Sequence, residues 1–185
     1  MSYDKGTVSR RVLKWAENVE QFQPPQWEQL PGLELYMDQV IILLKQYLGP
    51  LLRNEEKAVT ASIINNYVRM KLMPPPVKKK YSRVHIAYLL MICILKQSLS
   101  ISCIRRMLPE EHGEEAVRDL YESFAGQYRT VASAFIQHIH GEMGDALPAE
   151  ADLVTAAAVF ATLSKDLTEF LLEPEGEAEP VSAAK

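Results

Sequence analysis

Along most of this chain the apolar side chains recur every three or four positions, the spacing of one helix face. In the first such stretch Val8, Val12, Trp15, Ala16, Val19 and Phe22 fall on one side, and Pro24-Pro25 ends the helix. Trp27, Leu30, Pro31 and Leu33 then form a loop with enough apolar surface to dock on the rest of the fold. A second helix is predicted from about Glu34 to Tyr47, stopped by Gly49-Pro50, and a third from Thr60 to about Lys71, stopped by Pro74-Pro75-Pro76. Ser82 and Ser100 are good N-cap residues for two further helices, the second covering Ile101 to Leu108. Beyond Pro109 come two longer amphipathic helices. Val117, Leu120, Tyr121, Phe124, Tyr128, Val131, Phe135 and Ile139 mark the first, and Leu153, Ala157, Phe160, Leu163, Leu167 and Leu171 the second. Gly141 to Pro148 joins them, which predicts an antiparallel helical hairpin. From Pro174 onward the chain is Pro, Gly, Ala and Glu and is expected to be disordered. No stretch alternates with the period of a strand and no internal repeat is visible, so the fold class is all-α.

One helix differs from the others. Between Val84 and Leu95 the only polar groups are His85 and the hydroxyl of Tyr88, so this helix must be covered on nearly every side. It is the expected central beam of the fold. Apolar residues left over on the hairpin (Tyr121, Tyr128, Phe160, Phe170) have two expected uses: a homodimer or effector surface, or packing against the N-terminal helix around Trp15.

Composition narrows the class. With 185 residues, 48% hydrophobic and 24% charged, the chain is long enough for one domain with an appendage, and it resembles neither a disordered chain nor a disulfide scaffold. The longest apolar run, Ile86 to Leu95, is far short of the roughly 18 to 20 residues that span a bilayer. The first residues, MSYDKGTVSRR, show no secretory signal pattern. Cys93 and Cys103 lie in apolar helical surroundings and read as buried hydrophobes of a reducing cytoplasm rather than sensor thiols. These observations together predict a cytoplasmic protein without a membrane partner.

Charge changes the picture more than composition does. Residues 1–52 carry five basic and six acidic side chains, a sum of −1; residues 53–106 carry eleven basic against Glu55 and Glu56, a sum of +9; residues 107–185 carry four basic and sixteen acidic, a sum of −12. A basic middle is an electrostatic footprint for a polyanion, and an acidic end restricts where that polyanion can lie.

The basic block contains the most informative segment, TASIINNYVRMKLMPPPVKKKYS, residues 60–82. On a helix starting near Thr60, Ile64, Tyr67 and Val68 form an apolar stripe, while Ser62, Asn65, Asn66 and Arg69 form a second, carboxylate-free face. Those side-chain types read base edges: Asn bonds adenine N6 and N7 together, Arg grips guanine O6 and N7, and Ser suits a base or a phosphate. Two successive Asn residues inside a helix also need a reason, since Asn is a mediocre helix former. Beyond the prolines, Lys78, Lys79, Lys80, Tyr81 and Arg83 supply a cluster suited to phosphates, which position a protein on DNA without reading its sequence.

Residues 58–108 resemble the N-terminal DNA-binding domain of MerR-type regulators, in which a helix of the form S-x-x-T-L-R-Y-Y runs into G-L-L-P-P, a basic wing ending in Y-S or Y-T, a helix, and a short helix introduced by S-L or S-I. The counterparts are Thr60, Ile64, Asn65, Asn66 and Tyr67, then Leu72, Met73, Pro74 and Pro75, then Tyr81-Ser82, and finally Ser100-Ile101 with Ile104. Asn65-Asn66 replaces the Arg-Tyr pair of that family. Over residues 10–110 the chain is also similar to a family of uncharacterised bacterial proteins regarded as transcriptional regulators. The motifs carrying that resemblance are Leu35 to Val40 (L-Y-M-D-Q-V), Ile64 to Tyr67 (I-N-N-Y), Leu72 to Ser82, and Leu99 to Ile104 (L-S-I-S-x-I).

The expected organisation is an N-terminal helix and docking loop (1–34), a MerR-like winged helix-turn-helix (35–108), a helical hairpin for dimerisation or effector binding (109–173) and an acidic tail (174–185). The expected function is a sequence-specific DNA-binding regulator, a repressor. Its helix 60–71 would enter the major groove, with Ser62, Asn65, Asn66 and Arg69 on bases and Thr60, Lys71, Lys78, Lys79, Lys80, Tyr81 and Arg83 on phosphates. Double-stranded DNA and a second copy of the chain are the expected partners, with room for an unnamed small-molecule effector. The alternative is a helical protein-interaction module on the same scaffold that does not bind DNA. No cofactor is implied. His138, His140 and Glu142 do not have metal-ligand spacing on a helix, and no Gly-rich phosphate loop, nucleophile elbow or paired-acid motif is present, so no metal site and no catalytic residue is expected.

Overall fold

A computed structural model describes residues 14–20, 22–49, 51, 59–109, 112–142 and 150–172. These residues form helices α1 (14–20), α2 (Met37–Leu48), α3 (Ala61–Arg69), α4 (Arg83–Leu95), α5 (Ile101–Met107), α6 (Glu114–Glu142) and α7 (Glu150–Leu171), with one 3-10 turn at Trp27–Gln29. Among the described residues there are two isolated β-bridges and no strand. The fold is therefore all-α.

The beam predicted at Val84–Leu95 is α4. Its nine successive residues from His85 to Cys93 are all buried. Val40, Leu44 and Leu48 of α2, Ile64 and Tyr67 of α3, Cys103 and Ile104 of α5, and Val117 and Tyr121 of α6 join it in one core cluster. Burying a Leu- or Phe-sized side chain contributes about 1.5–3 kcal/mol, so this cluster is where the stability of the fold lies.

The N-terminal segment lies antiparallel along α6 as an aromatic ladder. Trp15 meets Phe135 with centroids 5.9 Å apart, Phe22 meets Tyr128 at 5.3 Å, and Trp27 meets Tyr121 at 6.2 Å. The first two pairs are edge-to-face, the arrangement ring quadrupoles favour. At the ladder's end the Tyr121 hydroxyl donates to the Pro25 carbonyl at 2.8 Å, satisfying a polar group that would otherwise be stranded in the core. Trp27 and Leu30 of the docking loop are buried, whereas Leu33 points outward.

Two expectations need adjustment. Tyr121 and Tyr128 are covered by Trp27 and Phe22, so that part of the leftover surface is core. The hairpin is looser than its pattern implied: Phe160 meets Phe135 at 5.7 Å, but Phe160, Leu163, Leu167 and Phe170 remain exposed. Phe160 alone of these four meets an α6 ring, while the far end of α7 rests on α5. There Arg106 Nη1 donates to the Leu172 carbonyl at 3.1 Å. Val8, Val12, the Gly141–Pro148 connection beyond Glu142 and the tail from Pro174 lie outside the described residues. No helix among the described residues is long and apolar enough to cross a membrane.

Candidate nucleic-acid interface

The site is built on α3. Thr60 is its N-cap, and its Oγ1 accepts from the Ile63 amide at 3.3 Å. At the other end the Lys71 amide donates to the Val68 carbonyl and the Leu72 amide to the Tyr67 carbonyl, both at 3.0 Å. That pair of bonds is the Schellman arrangement, which needs a left-handed residue directly after the cap, and Lys71 takes it at φ 56°. The Met70 carbonyl, left open at the helix end, accepts from Arg105 Nη2 of α5 at 2.6 Å. Capping, the Schellman turn and Arg105 together hold a nine-residue helix that would be marginal alone.

On this helix Ile64 and Tyr67 face the core. Ser62, Asn65 and Arg69 are exposed, and the Ser62 and Asn65 side chains have no hydrogen-bond partner among the described residues. Asn66 behaves differently from the expectation. It is half-buried, its Nδ2 donates to Met70 Sδ at 3.3 Å, and its Oδ1 accepts from Arg69 Nη2 at 2.6 Å. Both ends of its amide are in use, so Asn66 orients Arg69, and the outward face is Ser62, Asn65 and Arg69.

The triple proline leads into a two-residue hairpin turn at the place where the wing is expected. Val77 and Lys80 form an antiparallel bridge, with the Lys80 amide donating to the Val77 carbonyl at 2.9 Å. The two residues between them, Lys78 (φ 51°) and Lys79 (φ 65°), are both left-handed. Two positive φ angles in a two-residue loop make a type I′ hairpin turn, a place where Asn-Gly is at ease and Lys is not. Leu35 and Tyr81 exchange two backbone hydrogen bonds at 2.9 and 2.8 Å, which ties the wing to the segment entering α2.

His85 fastens the base of the wing. Its Nδ1 accepts from the Ser82 amide at 3.0 Å, so its proton is on Nε2, which faces the Pro75 carbonyl at 3.3 Å. Burial holds its pKa below the ordinary histidine value; the Pro75 carbonyl and the Glu34 charge oppose that shift only in part. Here His85 performs, three residues after the Ser82 N-cap, the job a Glu or Gln has in a capping box.

Of the residues expected on phosphates, Thr60, Lys71, Lys78 and Lys79 are exposed. Among the described residues Lys71, Lys78 and Lys79 have no ionic partner, and these three are also the non-glycine residues with positive φ. Lys80 is half committed: it pairs with Glu34 at 3.7 Å and lies over the Tyr36 ring at 5.8 Å. Two residues depart from the expectation. Tyr81 is only 2% exposed, with its ring against His85, so its side chain belongs to the core. Arg83 lies over the Trp27 ring at 5.7 Å, beside Gly32, with Nε buried and unpartnered, so it braces the docking loop.

Arg105, Glu34, Tyr36 and His85 are parts of the site that the residue pattern did not single out. The Ser-x-x-His spacing at 82–85 was a usable signal for a cap; the long-range reach of Arg105 to Met70 had none. Among the described residues no group of three or more His, Cys, Asp or Glu side chains could hold a metal. The side chains of His138, His140 and Glu142 lie outside the described ones. Burial pushes the Cys93 thiol up to about 12, which leaves no reactive thiolate near neutrality.

No curated protein and no solved structure matches the chain. Over residues 25–124, which include the docking loop, α2 to α5, the wing and the first part of α6, the chain belongs to the family described as domain of unknown function DUF1836.

Proposed function

We propose that this protein is a sequence-specific DNA-binding transcriptional regulator, a repressor, that places α3 in the major groove in the manner of a winged helix-turn-helix. Ser62, Asn65 and Arg69 read base edges, Asn66 holds Arg69 in place, and Thr60, Lys71, Lys78 and Lys79 contact phosphates. The observation that carries this reading is the coincidence of strain and freedom around one uncommitted polar face. Left-handed backbone costs an L-residue about 1 kcal/mol or more. Of the four lysines expected on phosphates, the three that bear it are the three without an ionic partner among the described residues, Lys80 being paired with Glu34. Such positions persist where the side chain is used for something other than stability.

The test is selection of random and genomic duplexes on the purified protein at about 0.15 M salt, followed by binding curves for single variants. Asn65→Ala should weaken the selected duplex far more than a random one, by about 1–3 kcal/mol, because a base contact is lost. Lys79→Ala should weaken both alike and reduce the salt slope by about one. Failure to enrich any duplex, or equal losses for both variants on both DNAs, overturns the reading and leaves the basic face to an acidic protein partner.

A further inference from the structure

We infer that α7 is a self-association helix, and that its exposed apolar seam packs antiparallel against the same seam of a second copy of this chain. This deepens the regulator reading by naming its dimer contact, yet the argument and its test stand on α7 alone.

The seam is Phe160, Leu163, Leu167 and Phe170, flanked by Val159 and Leu171. The steps are three, four and three residues, so the four side chains line one face of the helix, as the a and d positions of a heptad do, and Val159 and Leu171 widen that face. All six side chains are large and apolar, and each is 52–70% exposed. On side chains of this size that amounts to on the order of 700 Å², close to the roughly 800 Å² each partner gives a standard interface, and more than the roughly 300–600 Å² patch of an ordinary monomer. Val131 of α6, one turn from the Phe135 that touches Phe160, is 63% exposed and extends the patch.

α7 is held from its other side. Glu169 accepts from Lys165 Nζ at 3.0 Å and faces Cys103 Sγ of α5 at 3.7 Å, while Leu172 packs on the core. With Phe160 and Leu167 at the a positions of a heptad, Lys165 and Glu169 fall at f and c, away from the seam. The seam is thus presented by a docked helix.

Its order identifies the occupant. Reversed about residue 165, Phe160 falls on Phe170, Leu163 on Leu167, and Val159 on Leu171. A two-fold contact requires one patch to complement itself, and an antiparallel pairing centred there matches each of the six residues with one of its own kind or size. The positions that usually select a different partner through charge are here Val159, Ser164, Asp166 and Leu171. One carboxylate among four leaves no charge code for a foreign helix.

The full chain should sediment as a dimer from about 1 to about 100 µM, without DNA present. Leu163→Glu/Leu167→Glu should be monomeric over the same range, with the helical circular dichroism of the parent. Leu163→Glu/Leu167→Lys distinguishes orientation: an antiparallel seam sets each Glu against a Lys and keeps the dimer, whereas a parallel one sets like charges together and loses it. A monomeric parent overturns the inference, whether α7 is then covered by another part of the chain or by another protein. A Leu163→Glu/Leu167→Glu variant as dimeric as the parent, or a monomeric Leu163→Glu/Leu167→Lys variant that is folded, overturns it as well. A monomer that still selects a duplex through Asn65 sinks the seam alone; a dimer that selects none sinks only the DNA reading.

Discussion

α6 and α7 carry apolar stripes of the same helical character and meet at Phe135 and Phe160, yet one stripe is core and the other faces outward. On α6, Val117 and Tyr121 are fully buried, and Tyr128 and Phe135 are covered by Phe22 and Trp15. On α7, Leu163 and Leu167 are each about 60% exposed. The difference lies in what covers each stripe: the N-terminal segment lays three aromatic rings along α6, whereas α7 has its end on α5 and its middle uncovered. The same contrast runs through the molecule: α4 and its neighbours hold buried side chains, while the apolar seam of α7 is exposed. Ser62 and Asn65 of α3 and Lys78 and Lys79 of the wing are likewise exposed, and have no side-chain partners among the described residues. Stability should therefore respond to substitution on the committed side, and recognition on the other.

The largest separation between the two regions should appear on truncating one large side chain in each. Trp27→Ala removes a ring that is 2% exposed and in contact with Tyr121 and Arg83. It should cost about 3–5 kcal/mol in urea unfolding, the range for emptying such a site. Leu167→Ala made in a Leu163→Glu chain, where the α7 seam is already broken, removes a side chain that is 58% exposed, and should change the same quantity by within about 0.5 kcal/mol. Comparable losses for the two variants would erase the distinction between covered and uncovered helices.

Much of the committed side was legible in the sequence, because periodicity reports which face of a helix is apolar. Nine buried residues in a row on α4, the caps at Ser82 and Ser100, and the extents of α3 and α5 to within two residues follow from spacing and short-range chemistry. By contrast, α2 starts at Met37 rather than near Glu34 because Leu35 is drawn into a bridge with Tyr81. What covers a given face is a long-range matter, and the ladder from Trp15 to Trp27 could be read only once Phe22 and Trp27 had been placed against Tyr128 and Tyr121. At the candidate site the outward set Ser62, Asn65 and Arg69 was legible from helical period. The loss of Asn66 to Arg69 and Met70 was not, because Asn at that position can point either way. Tyr81 was misplaced for a different reason: it sits in a run of lysines, but its amide and carbonyl pair with Leu35 and turn the ring inward. The left-handed lysines carry no sequence signal, since that conformation is normally announced by Gly or Asn.

A smaller effect on the committed side should come from protonating His85. In the folded chain its pKa lies below the ordinary histidine value, first because burial penalises the imidazolium; its Nδ1 also has no room for a proton opposite the Ser82 amide. The unfolded chain therefore binds the proton more readily. The stability that His85 contributes is present above about pH 6.5, falls as pH drops below it, and stops falling once the folded-state pKa is passed. One proton sets a limit of about 1.4 kcal/mol per pH unit on that slope. Urea unfolding at stepped pH should show the parent losing more stability than His85→Gln between neutrality and mild acid. Parallel curves would mean that the base of the wing does not depend on the neutral ring.

The smallest effect separates the two regions most sharply, because its sign should reverse. Replacing the wing tip by Lys78→Asn/Lys79→Gly installs the pair that a type I′ turn favours, at residues whose φ angles are 51° and 65°. Neither lysine has an ionic partner among the described residues, so no contact is lost. Relief of left-handed strain outweighs the extra freedom Gly gives the unfolded chain. The variant should be more stable by about 1 kcal/mol, which for a chain of this size is a rise of about 2–4 °C in Tm. Its affinity for duplex DNA should fall, and its salt slope should drop by about two, as two phosphate contacts disappear. A gain in stability with unchanged DNA affinity would leave the strain without a function in recognition. A loss of stability would show instead that the lysines hold the wing, and would move it to the committed side of the molecule.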